Sequence, residues 1–169
     1  MSKIFTALLL LAIFSGLIIL AVNSWRRRRR EQALSFSSPA ESLDVALDGA
    51  QAAESAKVQY VATTIAAEPL NRVTAYGLGF RGRATVWASG AGFLIERNGE
   101  RSLAIAGLQL ISVDFAQVVI GRAVEKDGLV AITWRQGKTE LTTVLRFNSA
   151  ADRNRTLRAG PVLARKATP

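Results

Sequence analysis

From Ile4 to Val22 the chain runs 19 residues without a charge, apolar except for Thr6, Ser15 and Gly16. Trp25 and five arginines follow almost at once. At 1.5 Å per residue the run makes a helix of roughly 28 Å, close to the ~30 Å hydrocarbon core of a bilayer. A helix of this length buried in a soluble core would show a polar face, and this one has none. A cleaved export signal is the competing reading, with Lys3 as its positive start. Against it, the run exceeds the usual apolar stretch of ~7–15 residues, and no Ala-x-Ala site directly follows. The sequence therefore predicts a retained transmembrane helix within residues 1–25, with a short extracytoplasmic N-terminus.

Orientation follows from the flank. Short segments rich in Lys and Arg stay in the cytoplasm. Arg26, Arg27, Arg28, Arg29 and Arg30 outweigh Lys3 and the α-amine. The expected topology in the plasma membrane is single-pass, N-terminus out, with the C-terminal part cytoplasmic. Trp25 falls at the headgroup level, where amphipathic rings sit. Each arginine near an anionic leaflet contributes ~1 kcal/mol, so the cluster can hold membrane lipids. Its plainer role is to lock the topology of a helix that is already anchored. Ser15 and Gly16 are small enough for close approach to a helix of another protein or of a second copy, although no GxxxG seam is present.

The net charge of +9 is unevenly spread. Residues 31–56 hold Glu31, Glu41, Asp44, Asp48 and Glu54 and no base, whereas residues 57–169 hold sixteen Lys and Arg against eight acids. With Pro39, Gly49 and many Ala and Ser, residues 26–56 read as an arginine cluster followed by a flexible acidic linker. The apolar residues within Ser42–Leu47 could form two turns, too short to stand as a helix in water. The chain has no cysteine and no histidine. That excludes disulfides, thiolate metal sites and a Cys nucleophile, and removes the usual general base and zinc ligand.

From Lys57 the pattern changes to short β-like runs between turns. VQYVATTIA (58–66), RATVWAS (83–89), GFLIER (92–97), SLAIA (102–106), FAQVVIGRAV (115–124), LVAITWRQ (129–136) and TELTTVLRF (139–147) are seven candidate strands. Their spacing indicates a sandwich or small barrel. Asn98-Gly99 predicts a two-residue hairpin, pairing Arg97 with Glu100, Glu96 with Arg101 and Leu94 with Leu103. Asp127-Gly128 and Gly137-Lys138 are further turn sites. In the last strand Leu141, Thr143, Leu145 and Phe147 share one face, and Glu140, Thr142, Val144 and Arg146 the other. Asn148-Ser149 and Gly160-Pro161 bound a predicted helix over 150–159, with Asp152 in its first turn and Arg153, Arg155 and Arg158 later. Residues 161–169 form a tail.

YVATT (60–64), PLNRVTAYGLGFRG (69–82), GFLI (92–95), AVEKDGLVAITW (123–134) and LTTVLRF (141–147) carry a resemblance. The chain resembles a family of small actinobacterial proteins with one N-terminal transmembrane helix and a bacterial pleckstrin-homology-like (PH-like) domain. The resemblance implies that residues 57–160 form a seven-stranded sandwich or open barrel closed by the C-terminal helix. It also brings the label of an export or transport protein, to which one uncharged helix gives little support. In lipid-binding domains of this fold, basic residues around the first-to-second strand loop hold headgroup phosphates. Arg72, Arg81 and Arg83 lie around that loop here.

In GLGFRGR (77–83) exposed backbone N–H groups and guanidinium forks could hold an anion. The plain alternative is a glycine-rich loop whose arginines point into solvent. The spacing fits neither a P-loop nor a dinucleotide fingerprint. Glu125 and Asp127 share a turn, and Glu96 and Glu100 are expected to face arginines, so no raised carboxylate pair for acid–base work is expected. The sequence thus predicts no enzyme, no catalytic or metal site and no cofactor. Trp87, Trp134, Tyr76 and Phe80 could stack on bases beside arginines, but Trp134 alternates with Val130 and Ile132 and reads as core, and a membrane tether disfavours nucleic acid. The expected role is a membrane-anchored binding or scaffolding module with a protein partner. An accessory subunit of a transport complex and an anionic-headgroup sensor are the alternatives.

Overall fold

The computed structural model describes residues 2–35, 37–41, 54–116 and 129–161. Helix α1 spans Ser2–Ser35, eight strands follow, and helix α2 spans Ala150–Ala159. The strands are β1 (Glu54–Ile65), β2 (Glu68–Arg72), β3 (Gly82–Ser89), β4 (Gly92–Arg97), β5 (Leu103–Ala106), β6 (Leu110–Ala116), β7 (Leu129–Gln136) and β8 (Thr139–Phe147). They form one antiparallel sheet in the order β5-β4-β3-β1-β8-β7-β6, with β2 paired onto β1. The sheet is open, because the outer strands β5 and β6 do not pair.

β1 serves both halves. Residues from Glu54 to Tyr60 pair with β3, while Val58 to Ile65 pair with β8 across an irregularity between Tyr60 and Ala62. Such a bulge bends a strand and increases its twist, which lets one strand join two sheets at an angle. The concave side buries Val58, Tyr60, Val86, Ile95, Ile105, Ile132, Trp134, Leu141 and Leu145. Trp134 is core, as its alternation predicts, and its indole N–H donates to Thr143 Oγ1 at 3.0 Å. On β8, Leu141, Thr143, Leu145 and Phe147 are buried and Glu140 and Arg146 are exposed, although Val144 is buried too.

Helix α2 matches the sequence expectation over 150–159. Ser149 caps it, its Oγ accepting from the N–H groups of Ala151 and Asp152. Gly137-Lys138 forms the expected tight turn, with Gln136 opposite Thr139 and Gly137 at φ 61°. Asp127-Gly128 and most of the strand expected over 115–124 lie outside the described residues.

Three features depart from the sequence reading. β2 and the first part of β6 were not anticipated. β2 carries Pro69 and makes only two paired positions, and β6 is an edge strand with Asp114 exposed. The second departure is the β4–β5 hairpin, which is shifted by one residue: Ile95 faces Leu103 and Leu94 faces Ala104. The loop holds Asn98, Gly99 and Glu100, with Glu100 N–H donating to Arg97 C=O and Gly99 at φ 81°. Asn-Gly is compatible with this three-residue loop as well as with a two-residue turn. Burial selects between them. The shift puts Phe93, Ile95, Leu103 and Ile105 on one buried face, and burying one such side chain contributes ~1.5–3 kcal/mol. The forfeited cross-strand charge pairs are worth only ~0.2–1 kcal/mol each. Glu96 instead accepts from Trp87 Nε1 at 2.8 Å, Arg101 pairs with Glu41, and Arg97 turns inward.

The third departure is that α1 continues past Trp25, through the arginines, to Ser35. Ala33 and Leu34 are good helix formers and no Gly or Pro intervenes before Pro39, so nothing local stops the helix. Arg27 pairs with Glu31 one turn on at 2.8 Å, and Arg29 lies 5.6 Å over the Trp25 ring.

Candidate functional site

The end of α1 is held against the β domain. Gln32, 8% exposed, reaches the stretch after β2. Its Nε2 donates to Arg72 C=O at 3.2 Å. Its Oε1 accepts from Thr74 N–H at 2.6 Å, from Thr74 Oγ1 at 2.8 Å and from Ala75 N–H at 3.4 Å. One residue on, Ala33 packs against the core and its carbonyl accepts from Tyr76 Oη at 3.2 Å. A single side-chain amide thus satisfies backbone groups at the end of β2 and just beyond it, which they need when shielded from water.

The receiving stretch is itself unusual. A 3₁₀ turn at Ala75–Gly77 holds Tyr76 at φ 54°, the left-handed region that bulky residues avoid. Such a conformation costs on the order of 1–3 kcal/mol and persists only where the surroundings fix it. Here they do. Arg97, 7% exposed, donates through Nη1 to Gly77 C=O at 2.7 Å and through Nε and Nη2 to Arg101 C=O at 2.9 and 2.6 Å. Its guanidinium also stacks 5.1 Å over the Tyr60 ring. The Tyr60 phenol bonds Thr63 Oγ1 at 2.6 Å and donates to Leu78 C=O at 2.9 Å. Burial pushes its pKa up to about 12.

Residues 37–41, expected within a flexible linker, also lie on the domain. Gln136 Nε2 donates to Ser37 C=O at 3.3 Å and Oγ at 3.1 Å, and to Ser38 C=O at 3.3 Å. Pro39 is buried, and Ala104 N–H on the outer strand β5 donates to Ala40 C=O at 2.8 Å. The strap thus joins the end of β7 to the outer strand β5.

The three arginines singled out from sequence are all exposed but do not form one cluster. Arg72 ends β2, opposite Thr64. Arg81 donates to Gln59 Oε1 at 2.7 Å, and Arg83 is the β3 partner of that same Gln59, so these two share one strip of the sheet. Arg146 flanks Gln59 on the β8 side and was not anticipated as part of that strip. Phe80 is exposed, whereas Trp87 is half-buried and tied to Glu96. Among the described residues no three carboxylates converge on a point where a metal could sit.

An open antiparallel sheet, a long strand shared by both halves and one helix after the last strand are the marks of a pleckstrin-homology architecture. Residues 40–160 match the family described as bacterial PH domain-like. The chain belongs to that family. No curated protein matches it as a relative. A PH-like domain is generally a non-catalytic binding module for lipids or proteins. The PH-like domain here follows one N-terminal helix long and apolar enough to cross a membrane, a description that a span and an export signal both meet.

Proposed function

We propose that the protein is a single-pass membrane protein that holds a non-enzymatic PH-like binding module at the cytoplasmic face. One observation carries the reading: α1 is continuous from its apolar run through the arginines to Gln32, and Gln32 is bonded into the domain. A cleaved signal has no use for a C-terminal end built into the fold of the mature chain. A span does, because the contact converts an anchor into a rigid mount that fixes which side of the domain faces outward for a partner. The arginine flank supports the N-out orientation, and the resemblance to actinobacterial proteins with the same arrangement supports the membrane assignment.

The anchor-only role of α1 has one competitor with a structural basis. A Cβ placed at Gly16 would meet no other part of the described chain within 4 Å beyond its own helix, so a second helix could approach there. That would suit an accessory subunit of a membrane complex, or a dimer.

The test fuses to the C-terminus an enzyme active only outside the cytoplasm, and separately one active only inside, with N-terminal sequencing of the mature chain. The reading expects activity of the inside reporter alone and an intact N-terminus in carbonate-washed membranes. A chain beginning after residue 25, or an active outside reporter, rejects it. Crosslinking from Ser15 then separates a lone anchor from an accessory subunit.

A further inference from the structure

The strap, residues 37–41, is seated on the domain by contacts that read main chain more than side chain. Gln136 Nε2 reaches the carbonyls of Ser37 and Ser38 and the Ser37 hydroxyl, and Ala104 N–H donates to the carbonyl of Ala40. Any linear peptide carries such carbonyls. Two side chains add a pattern. Pro39 is buried, and the cleft beside it is lined from the domain by Tyr76, Leu78, Arg101 and Leu103, with only about 10 Å³ left free. Two residues on, the Glu41 carboxylate pairs with Arg101 Nη1 at 3.1 Å. The receiving surface therefore fits a proline followed two positions later by an acid.

That surface is fixed by the domain itself. Gln136 Oε1 accepts from Gln109 Nε2 at 3.0 Å, and the Arg101 carbonyl is held by the Arg97 guanidinium. The strap, by contrast, is held thinly. Gln136 Nε2 has two hydrogens for its three acceptors on the strap, so at most two are bonded at a time. The Arg101 and Glu41 side chains are 70% and 52% exposed, and pairs this exposed add little. On β5 the strap takes one main-chain rung, because the next outward donor, Ala106 N–H, goes to Gln109 Oε1 at 3.0 Å.

We propose that this surface is a docking groove for a linear segment of another protein that carries a proline and, two positions on, a carboxylate. Residues 37–41 are the chain's own stand-in and close the groove until such a segment displaces them. The inference rests on the binding-module reading and names the partner's chemistry; it holds on either side of a membrane, so it fails or stands independently of the topology. A strap tethered beside its groove competes at an effective concentration of roughly millimolar. A partner must therefore contact more of the surface than the strap does, or meet a strap already loosened.

The test uses the full chain in detergent micelles and the peptide SSPAES, the sequence of residues 37–42, with the amide resonance of Ala104 as the readout. Pro39→Asp with Glu41→Arg loosens the strap and leaves the receiving surface intact. This variant should bind the peptide about tenfold or more tighter than the wild-type chain does. Adding Arg101→Glu should abolish binding of SSPAES and confer binding of SSPAKS. On the wild-type chain, amide exchange at Ala104 should run about tenfold or more faster than at Ile105, whose N–H faces β4. A folded strap variant whose Ala104 signal ignores the peptide overturns the proposal. An unfolded strap variant, or equal exchange at Ala104 and Ile105 in the wild-type chain, overturns it too, because the strap is then an integral part of the domain. Pairing of wild-type chain with strap variant while the peptide stays unbound also overturns it, assigning the groove to the strap of a second copy.

Discussion

Gln32 and Thr74, 42 positions apart in sequence, are joined twice: Gln32 Oε1 accepts from the Thr74 backbone N–H at 2.6 Å and from Thr74 Oγ1 at 2.8 Å. Removing this acceptor leaves shielded donors unmatched, a loss of about 1–3 kcal/mol. The loss falls on docking of the helix rather than on the sheet, whose ladders are untouched. Gln32→Ala should therefore speed amide exchange at Thr74 and Ala75 by about tenfold or more, each tenfold reflecting ~1.4 kcal/mol, and leave exchange at Leu145 unchanged. Equal protection at Thr74 in both chains would show that the helix end is not held by this side chain.

What the sequence disclosed was local. Ser149 caps α2 through the amides of Ala151 and Asp152, and Gly137-Lys138 turns within four residues, so both were readable from neighbours alone. The β4–β5 register was not, because Asn98-Gly99 fits two loops and the choice depends on which side chains the rest of the fold buries. The Gln32 latch was less legible still. Gln32 sits among polar residues with no spacing signal, and its partners are fixed only when the chain has folded back over some forty residues. The uninterrupted helix-forming stretch up to Ser38 was the available clue that α1 would outlast the arginines. For Arg72, Arg81 and Arg83, their place near the first-strand loop was readable, while the link of Arg81 and Arg83 through Gln59 needed the pairing of β1 with β3.

Gly92 tests the β4–β5 pairing. Its φ is +152°, and a Cβ there would lie 2.2 Å from the Ile105 carbonyl oxygen. Backbone cannot move aside as a flexible side chain can. Gly92→Ala should lower stability by more than ~1 kcal/mol, read as a lower urea midpoint for the full chain in detergent. Gly90→Ala, where nothing lies within 4 Å, should stay within ~0.5 kcal/mol.

Tyr60 should make stability fall at alkaline pH. Burial, the largest cause, raises its phenol from 10.0 to about 12. Below pH 10 the folded and unfolded chains both carry the proton, and the contribution is fully present. Between about pH 10 and 12 only the unfolded chain releases it, so stability should drop by up to ~1.4 kcal/mol per pH unit. Tyr60→Phe starts less stable, since it loses the bonds to Thr63 and Leu78, but it lacks this slope. Urea titrations at pH 9, 10.5 and 11.5 should show the gap between the two chains narrowing. A constant gap would mean that Tyr60 is reached by solvent.

Arg97 offers the last test, because its donors fix two loops at once. The guanidinium joins Gly77 C=O to Arg101 C=O and caps the Tyr60 ring. A planar fork can do this, and a single ammonium cannot reach the same points together. Arg97→Met keeps most of the volume and leaves the carbonyls unmatched, so it should cost about 2–3 kcal/mol, with Arg97→Lys recovering only part. The strained Tyr76 should also relax once Gly77 is released, which loosens the bond from its hydroxyl to Ala33. The expected signature is a lower urea midpoint together with faster amide exchange at Ala75 and Leu78. A lowered midpoint with exchange there unchanged would reduce Arg97 to a packing residue and separate it from the mount that holds the helix.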